Sequence, residues 1–131
     1  NGRMDSKWPF TCAVHDMLSG PVTGNFDAAY SLDVLEHIPA ERERVFMRNL
    51  IDSLKPNGVA IIGMPSLESQ QYASPLSKLG HINCKKAPDL KALMLEFFEH
   101  AFIFCMNDEV VHTGYSPMAQ YVFALCTSPR N

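Results

Sequence analysis

The most telling absences in this chain of 131 residues are of patterns rather than of residue types. No apolar run approaches the ~20 residues that a membrane-spanning helix requires. The opening residues Asn1–Asp5 contain no signal-peptide apolar core, and no Met stands at position 1, so the start reads as the middle of a longer chain. Basic residues are in no excess. Eleven Lys and Arg against fourteen Asp and Glu give a formal net charge of −3, which offers nucleic acid no attracting field. The two densest basic groupings, Arg42/Arg44 and Lys85-Lys86, read as solvated surface. The four cysteines include no C-x-x-C pair, and Cys12, Cys105 and Cys126 lie in strand-like apolar runs. Reduced thiols in a cytoplasmic protein are therefore expected, not a disulfide framework. His81-x-x-Cys84 is half of a metal-ligand pattern without a second pair at ligand spacing, so no metal is expected. None of the seven glycines forms a G-x-G-x-x-G or Walker-type string, which argues against a phosphate-cradling nucleotide domain in these residues.

What remains is ordinary globular composition, 47% hydrophobic and 19% charged, enough for one compact domain over residues 1–131. Phe10–Val14 is a short β-prone run, separated by the turn-rich Ser19–Asn25 from a second apparent strand, Phe26–Leu32. From Pro39 to Leu54 the apolar residues follow a helical period, with Phe46, Leu50 and Leu54 repeating at i+4 and Met47 and Ile51 beside them. Pro39 suits a first helical position, and Lys55-Pro56-Asn57-Gly58 suits a stop and turn. Val59–Met64 is continuously apolar, as in a strand buried on both faces. Strand, helix and strand in that order predict a βαβ unit with parallel strands. Pro65–Ala87 reads as a long polar connection with at most a short helix, of the kind that forms lids or binding elements. Pro88 then opens a second helix, with Leu90, Leu93, Met94, Phe97 and Phe98 on one face. The last two apolar runs, Ala101–Met106 and Gln120–Cys126, have no helical pattern between them and should pair antiparallel.

Three strings carry a family resemblance. Phe26–Ile38, containing Asp33-Val34-Leu35-Glu36-His37-Ile38, resembles the fourth strand and following turn of class I S-adenosylmethionine-dependent methyltransferases. Leu54-Lys55-Pro56-Asn57-Gly58, followed by an apolar strand, is similar to the signature before that family's fifth strand. Gly80-His81, followed by Pro88-Asp89-Leu90, resembles the entry into its next helix. The resemblance runs from about Phe10 to Cys126 and is nearest to the small-molecule or glycan branch. It implies a Rossmann-like α/β sheet of parallel strands with crossover helices and a final antiparallel pair. The family's first strands and G-x-G-x-G loop have no counterpart here, so a partial domain with an open sheet edge is expected. That edge would favour a homo-oligomer.

The same resemblance implies S-adenosylmethionine as cofactor and methyl transfer to a small molecule, lipid-linked precursor or sugar hydroxyl. Whether this chain is itself an enzyme stays open, because the glycine loop is absent. The alternative is a degenerate, non-catalytic domain acting through self-association. By resemblance, Asp16 would accept from the adenine amino group and Met17 would lie by the ring edge, with Ser31, Leu32 and Asp33 facing cofactor and acceptor. Read from the residues alone, Asp16 is equally a turn cap and Asp33 a helix N-cap. His37 and His81 are the candidate general bases, since neutral imidazole takes a proton near pH 7, although each is also a common structural residue. Glu36 is expected to orient His37 or to be solvated, and Tyr72 and Tyr115 either line an acceptor pocket or pack on the surface.

Overall fold

The computed structural model describes residues 11–130. Five strands form one sheet in the order β1-β2-β5-β3-β4. β1 (Phe26–Leu32) pairs in parallel with β2 (Leu54–Pro65) through α1 (Glu43–Asp52), as the strand–helix–strand pattern predicts. β5 (Tyr121–Pro129) lies antiparallel between β2 and β3 (Phe98–Asn107), so β1, β2 and β3 all run in one direction. The expected antiparallel closing pair is present as β3–β5. A short strand missed in the sequence, β4 (Val110–His112), pairs antiparallel with the end of β3 and occupies the far edge.

The element boundaries differ from the sequence reading for local reasons. Pro39–Arg42 forms a separate turn, closed by the Arg42 N–H donating to the Pro39 carbonyl at 2.8 Å, and α1 starts only at Glu43. Leu54 already belongs to β2. The Lys-Pro-Asn-Gly segment does not separate helix from strand. It bulges within β2, where Phe26 pairs with Leu54 but Ala28 already pairs with Val59. Pro56 has no N–H to give a ladder, which suits a loop-out. Phe98, expected on the second helix, begins β3, because α3 (Ala87–Phe97) ends one residue earlier.

One expected strand is not there. Thr11–Val14 is not in the sheet, Val14 is fully exposed, and Cys12 is exposed rather than strand-buried. Phe10 lies outside the described residues. An isolated strand has no ladder partner, and none of the described strands pairs with this run. Among the described residues, the expected open edge is the free side of β1.

The core lies between the sheet and the two longer helices. Phe46, Met47, Leu50 and Ile51 of α1 and Leu90, Leu93, Met94 and Phe97 of α3 pack on alternate residues of the strands. These are Ala60, Ile62 and Met64 of β2, Val122, Ala124 and Cys126 of β5, and Ala101 and Cys105 of β3. The period of two sends the intervening residues to the opposite face. There Tyr30, Leu32, Ile61, Phe102 and Val111 are exposed, and with Phe104, Phe123 and Leu125 they form a broad apolar surface. Val59–Met64 is thus apolar on both faces, as read, but among the described residues only one face is covered.

Candidate functional site

The carboxyl ends of β1 and β2 converge on the chain segments that carry the candidate residues. At the end of β1, Asp33 takes a left-handed backbone conformation (φ 56°), which Asp tolerates better than most residues. Its N–H lies 3.1 Å from the Gly63 carbonyl and 3.2 Å from the Tyr121 hydroxyl, so the turn is tied to both β2 and β5. Gly63 gives the neighbouring side chains room. A Cβ would lie 2.7–2.8 Å from side-chain atoms of Phe123, Leu32 and Tyr121. Burial, together with the Asp33 carboxylate alongside, pushes the Tyr121 phenol well above its ordinary range and keeps it protonated. The helix-capping role considered for Asp33 is absent, since no side chain caps the 3₁₀ turn Leu35–His37.

That turn places Glu36 inward and His37 outward. Glu36 has 0% of its surface exposed, and neither carboxylate oxygen has a hydrogen-bond partner, so of the two readings, orienting or solvated, the solvated one does not hold. Burial pushes its carboxyl pKa up. A buried carboxylate without partners destabilises the fold, and such groups in native proteins call for an explanation. His37 hydrogen-bonds through Nδ1 with the Gly80 carbonyl at 2.8 Å, and its Nε2 lies 3.8 Å from Glu36 Oε1.

His81 reaches the same place from a different part of the chain. Ser74 caps α2 (Pro75–Gly80) by accepting the Ser77 N–H at 3.1 Å, and Pro75 fills the first helical position. His81 follows the helix, with Nδ1 at 2.8 Å from Gln70 Oε1, and its ring lies edge-on to His37 with centroids 5.2 Å apart. Gln70 is fixed in turn, donating to the Ser66 carbonyl at 3.1 Å. The loop after His81 is anchored to the first turn, because the Asn83 N–H donates to the Glu36 carbonyl at 2.9 Å. Asn83 also donates from its side chain to Glu43 at 2.9 Å, and Lys85 pairs with Glu43 at 2.8 Å. Lys85 is therefore a largely buried ion-pair partner, not a solvated residue as its sequence neighbourhood suggests.

The cofactor-side candidates divide into two groups. Met17, Ser31 and Leu32 line one open, mostly apolar cavity of about 490 Å³ beside β1, together with Phe26, Phe46 and Leu50. Ser31 is buried and its hydroxyl has no partner. Asp16 is not among the lining residues. Its carboxylate accepts the Leu18 N–H at 2.9 Å and its carbonyl accepts from Ser19, which is the turn-capping geometry. Tyr72 and Tyr115 are 84% and 72% exposed, the surface placement of the two considered. Sequence reasoning missed Gln70 and Tyr121. Gln70 lies in a connection with no periodicity. Tyr121 was legible only as the start of a strand, and the register that sets it opposite Pro65 is a tertiary fact.

No protein-family model matches the chain, and no curated protein matches it in sequence. Solved structures of S-adenosylmethionine-dependent methyltransferases do share its fold. The N-methyltransferase NodS from Bradyrhizobium japonicum WM9, solved with S-adenosyl-L-homocysteine, superposes with a TM-score of 0.58 at 18% identity, over 90% of this chain and 54% of that one. The methyltransferase SibL gives 0.65 at 12% identity, over 90% and 35%. The methyltransferase domain of bacterial CtHen1 gives 0.59 at 13% identity, over 86% and 59%. The chain therefore has the class I methyltransferase fold, and it spans between about a third and three fifths of the length of these structures.

Proposed function

We propose that this chain forms the acceptor-facing portion of an S-adenosylmethionine-dependent methyltransferase that methylates a hydroxyl of a small molecule, lipid-linked precursor or sugar. The observation that carries the reading is the convergence of Glu36, His37 and His81 at the carboxyl end of β1, next to Ser31, Leu32 and Asp33. In open α/β sheets, ligands lie beyond the carboxyl ends of the strands.

The chemistry is an in-line displacement. The acceptor oxygen attacks the methyl carbon of the sulfonium, the carbon–sulfur bond breaks, and S-adenosylhomocysteine leaves. Most of the work is holding donor and acceptor in contact. Met17, Ser31, Leu32 and Asp33 contribute to the cofactor side, with Asp16 at the adenine end in the intact fold. The Glu36–His37–His81 cluster activates the acceptor hydroxyl, whose proton must leave as the new bond forms. The bare apolar face and the free edge of β1 fit a domain completed by further strands and helices. They also fit pairing with a second copy.

The test is methyl transfer from labelled S-adenosylmethionine to hydroxyl-bearing acceptors, using a polypeptide with a strand and glycine-loop half upstream of Asn1. Label should enter an alkali-stable ether, and the His37→Ala/His81→Ala double variant should lower kcat by at least about 100-fold. Label found only on nitrogen would overturn the hydroxyl assignment.

A further inference from the structure

We infer that Glu36, His37 and His81 form a binding site for one divalent transition-metal ion, held by two imidazole Nε2 atoms and one carboxylate. A ligand atom from each of the three residues lies within 4.8 Å of the others. Sequence spacing hid the arrangement, because His81 comes from a separate connection and its apparent partner in sequence, Cys84, is not a member.

Three observations point to a cation. The first is that the fold occupies the Nδ1 atom of each imidazole. The Gly80 carbonyl can only accept, so His37 Nδ1 carries the proton. Gln70 donates through its amide nitrogen to Ser66, which leaves its Oε1 to accept from His81 Nδ1. In the neutral rings both Nε2 atoms then keep free lone pairs. A metal-binding histidine is held in this way, with its second nitrogen donating to a carbonyl or carboxylate. The second is Glu36. Its side chain is 1% exposed, both oxygens lack partners, and one lies 3.8 Å from His37 Nε2. A bound cation would give both oxygens a partner, where the described residues offer only the His37 ring at 3.8 Å. The third is anchoring, since His37 binds the end of α2 and Asn83 binds the Glu36 backbone, which fixes the two segments together.

The donor set selects the ion. Two imidazoles and a carboxylate suit zinc, cobalt, iron or manganese, whereas magnesium and calcium favour all-oxygen sites. Bonds of about 2.1 Å bring ligand atoms to roughly 3–3.5 Å of one another, so a separation of 4.8 Å has to close by about 1.3–1.8 Å. His81 follows a short helix and is partly exposed, and it can make that movement. Three protein ligands leave positions open for water or another oxygen. With the ion bound, the histidines serve the acceptor hydroxyl as ligands of a Lewis acid instead of as bases. That last step rests on the methyltransferase reading, whereas the binding of the ion does not.

The test is titration of the 131-residue chain, freed of metal with a chelator, with Zn2+ by calorimetry and with Co2+ by visible absorption. One ion per chain is expected. His37→Ala and His81→Ala should each weaken binding by more than about 100-fold, and Gln70→Leu by about 10-fold. Cys12→Ser and Cys84→Ser should leave it unchanged. If an alanine variant loses its native circular dichroism, Gln70→Leu decides. A folded chain that binds neither ion would overturn the site, as would binding that survives the histidine substitutions. A preference for Mg2+ over Zn2+ would overturn the choice of ion. Metal binding by a protein that shows no methyl transfer would leave the site standing and sink the methyltransferase reading alone.

Discussion

At the residue scale, Glu36 is costly to keep charged where it lies. It is fully buried without a hydrogen bond, and burial favours its protonated form. Replacing it with methionine, close to it in shape, should stabilise the metal-free chain by about 1–3 kcal/mol in urea unfolding. A loss of stability would show that the carboxylate has a structural partner after all. The thiols make an independent check. Cys12 is exposed, while burial pushes Cys84 up to about 11, Cys126 up to about 12, and Cys105 upward. A raised pKa lowers the thiolate fraction at pH 8, and only thiolate reacts. One thiol of four should therefore label quickly with a disulfide reagent in the native state, and labelling of Cys84 should speed up as pH rises towards 11. Rapid labelling of two or more at pH 8 would contradict the burial. These environments were only partly visible beforehand. An apolar strand marks Cys105 and Cys126 as buried, but nothing in Asp-Val-Leu-Glu-His says which way the Glu side chain points, because a single 3₁₀ turn has no periodicity to read.

At the element scale, β1–α1–β2 and α3 were legible because each carries an apolar repeat long enough to set its period against its neighbours. The Leu90, Leu93, Met94 and Phe97 stripe packs as its spacing predicts. Met94→Ala should lower stability by about 2–5 kcal/mol, read as a shift in the urea midpoint. Gly63→Ala should also destabilise, by about 1–3 kcal/mol, because a Cβ at this strand end would force Phe123, Leu32 and Tyr121 to shift. A neutral Gly63→Ala would mean that the close approach of β1, β2 and β5 is looser than described. Thr11–Val14 failed as a strand for a reason that lies outside its own residues. A β-prone run becomes a strand only when another strand offers it a ladder. β4 was missed for the complementary reason, since three residues are too few to show alternation.

At the scale of the whole molecule, the sheet is apolar on both faces and among the described residues has helices on one. Residues such as Phe102 at 54% exposure contribute to a surface of a kind that marks interaction sites. Phe102→Lys should change the stability of the isolated chain by no more than about 0.5 kcal/mol, and if the face pairs with a second copy it should lower the mass seen in light scattering. A large loss of stability would mean that the face is already packed. The fold is that of the S-adenosylmethionine-dependent methyltransferases, and the function proposed for it places their cofactor beside the Glu36–His37–His81 cluster. The most direct measurement is calorimetric titration of S-adenosylhomocysteine into the chain extended upstream by a strand and glycine-loop half. The account predicts a single site, competed by S-adenosylmethionine and weakened at least about 10-fold by Asp33→Ala. A folded, extended chain that takes up no S-adenosylhomocysteine would contradict it.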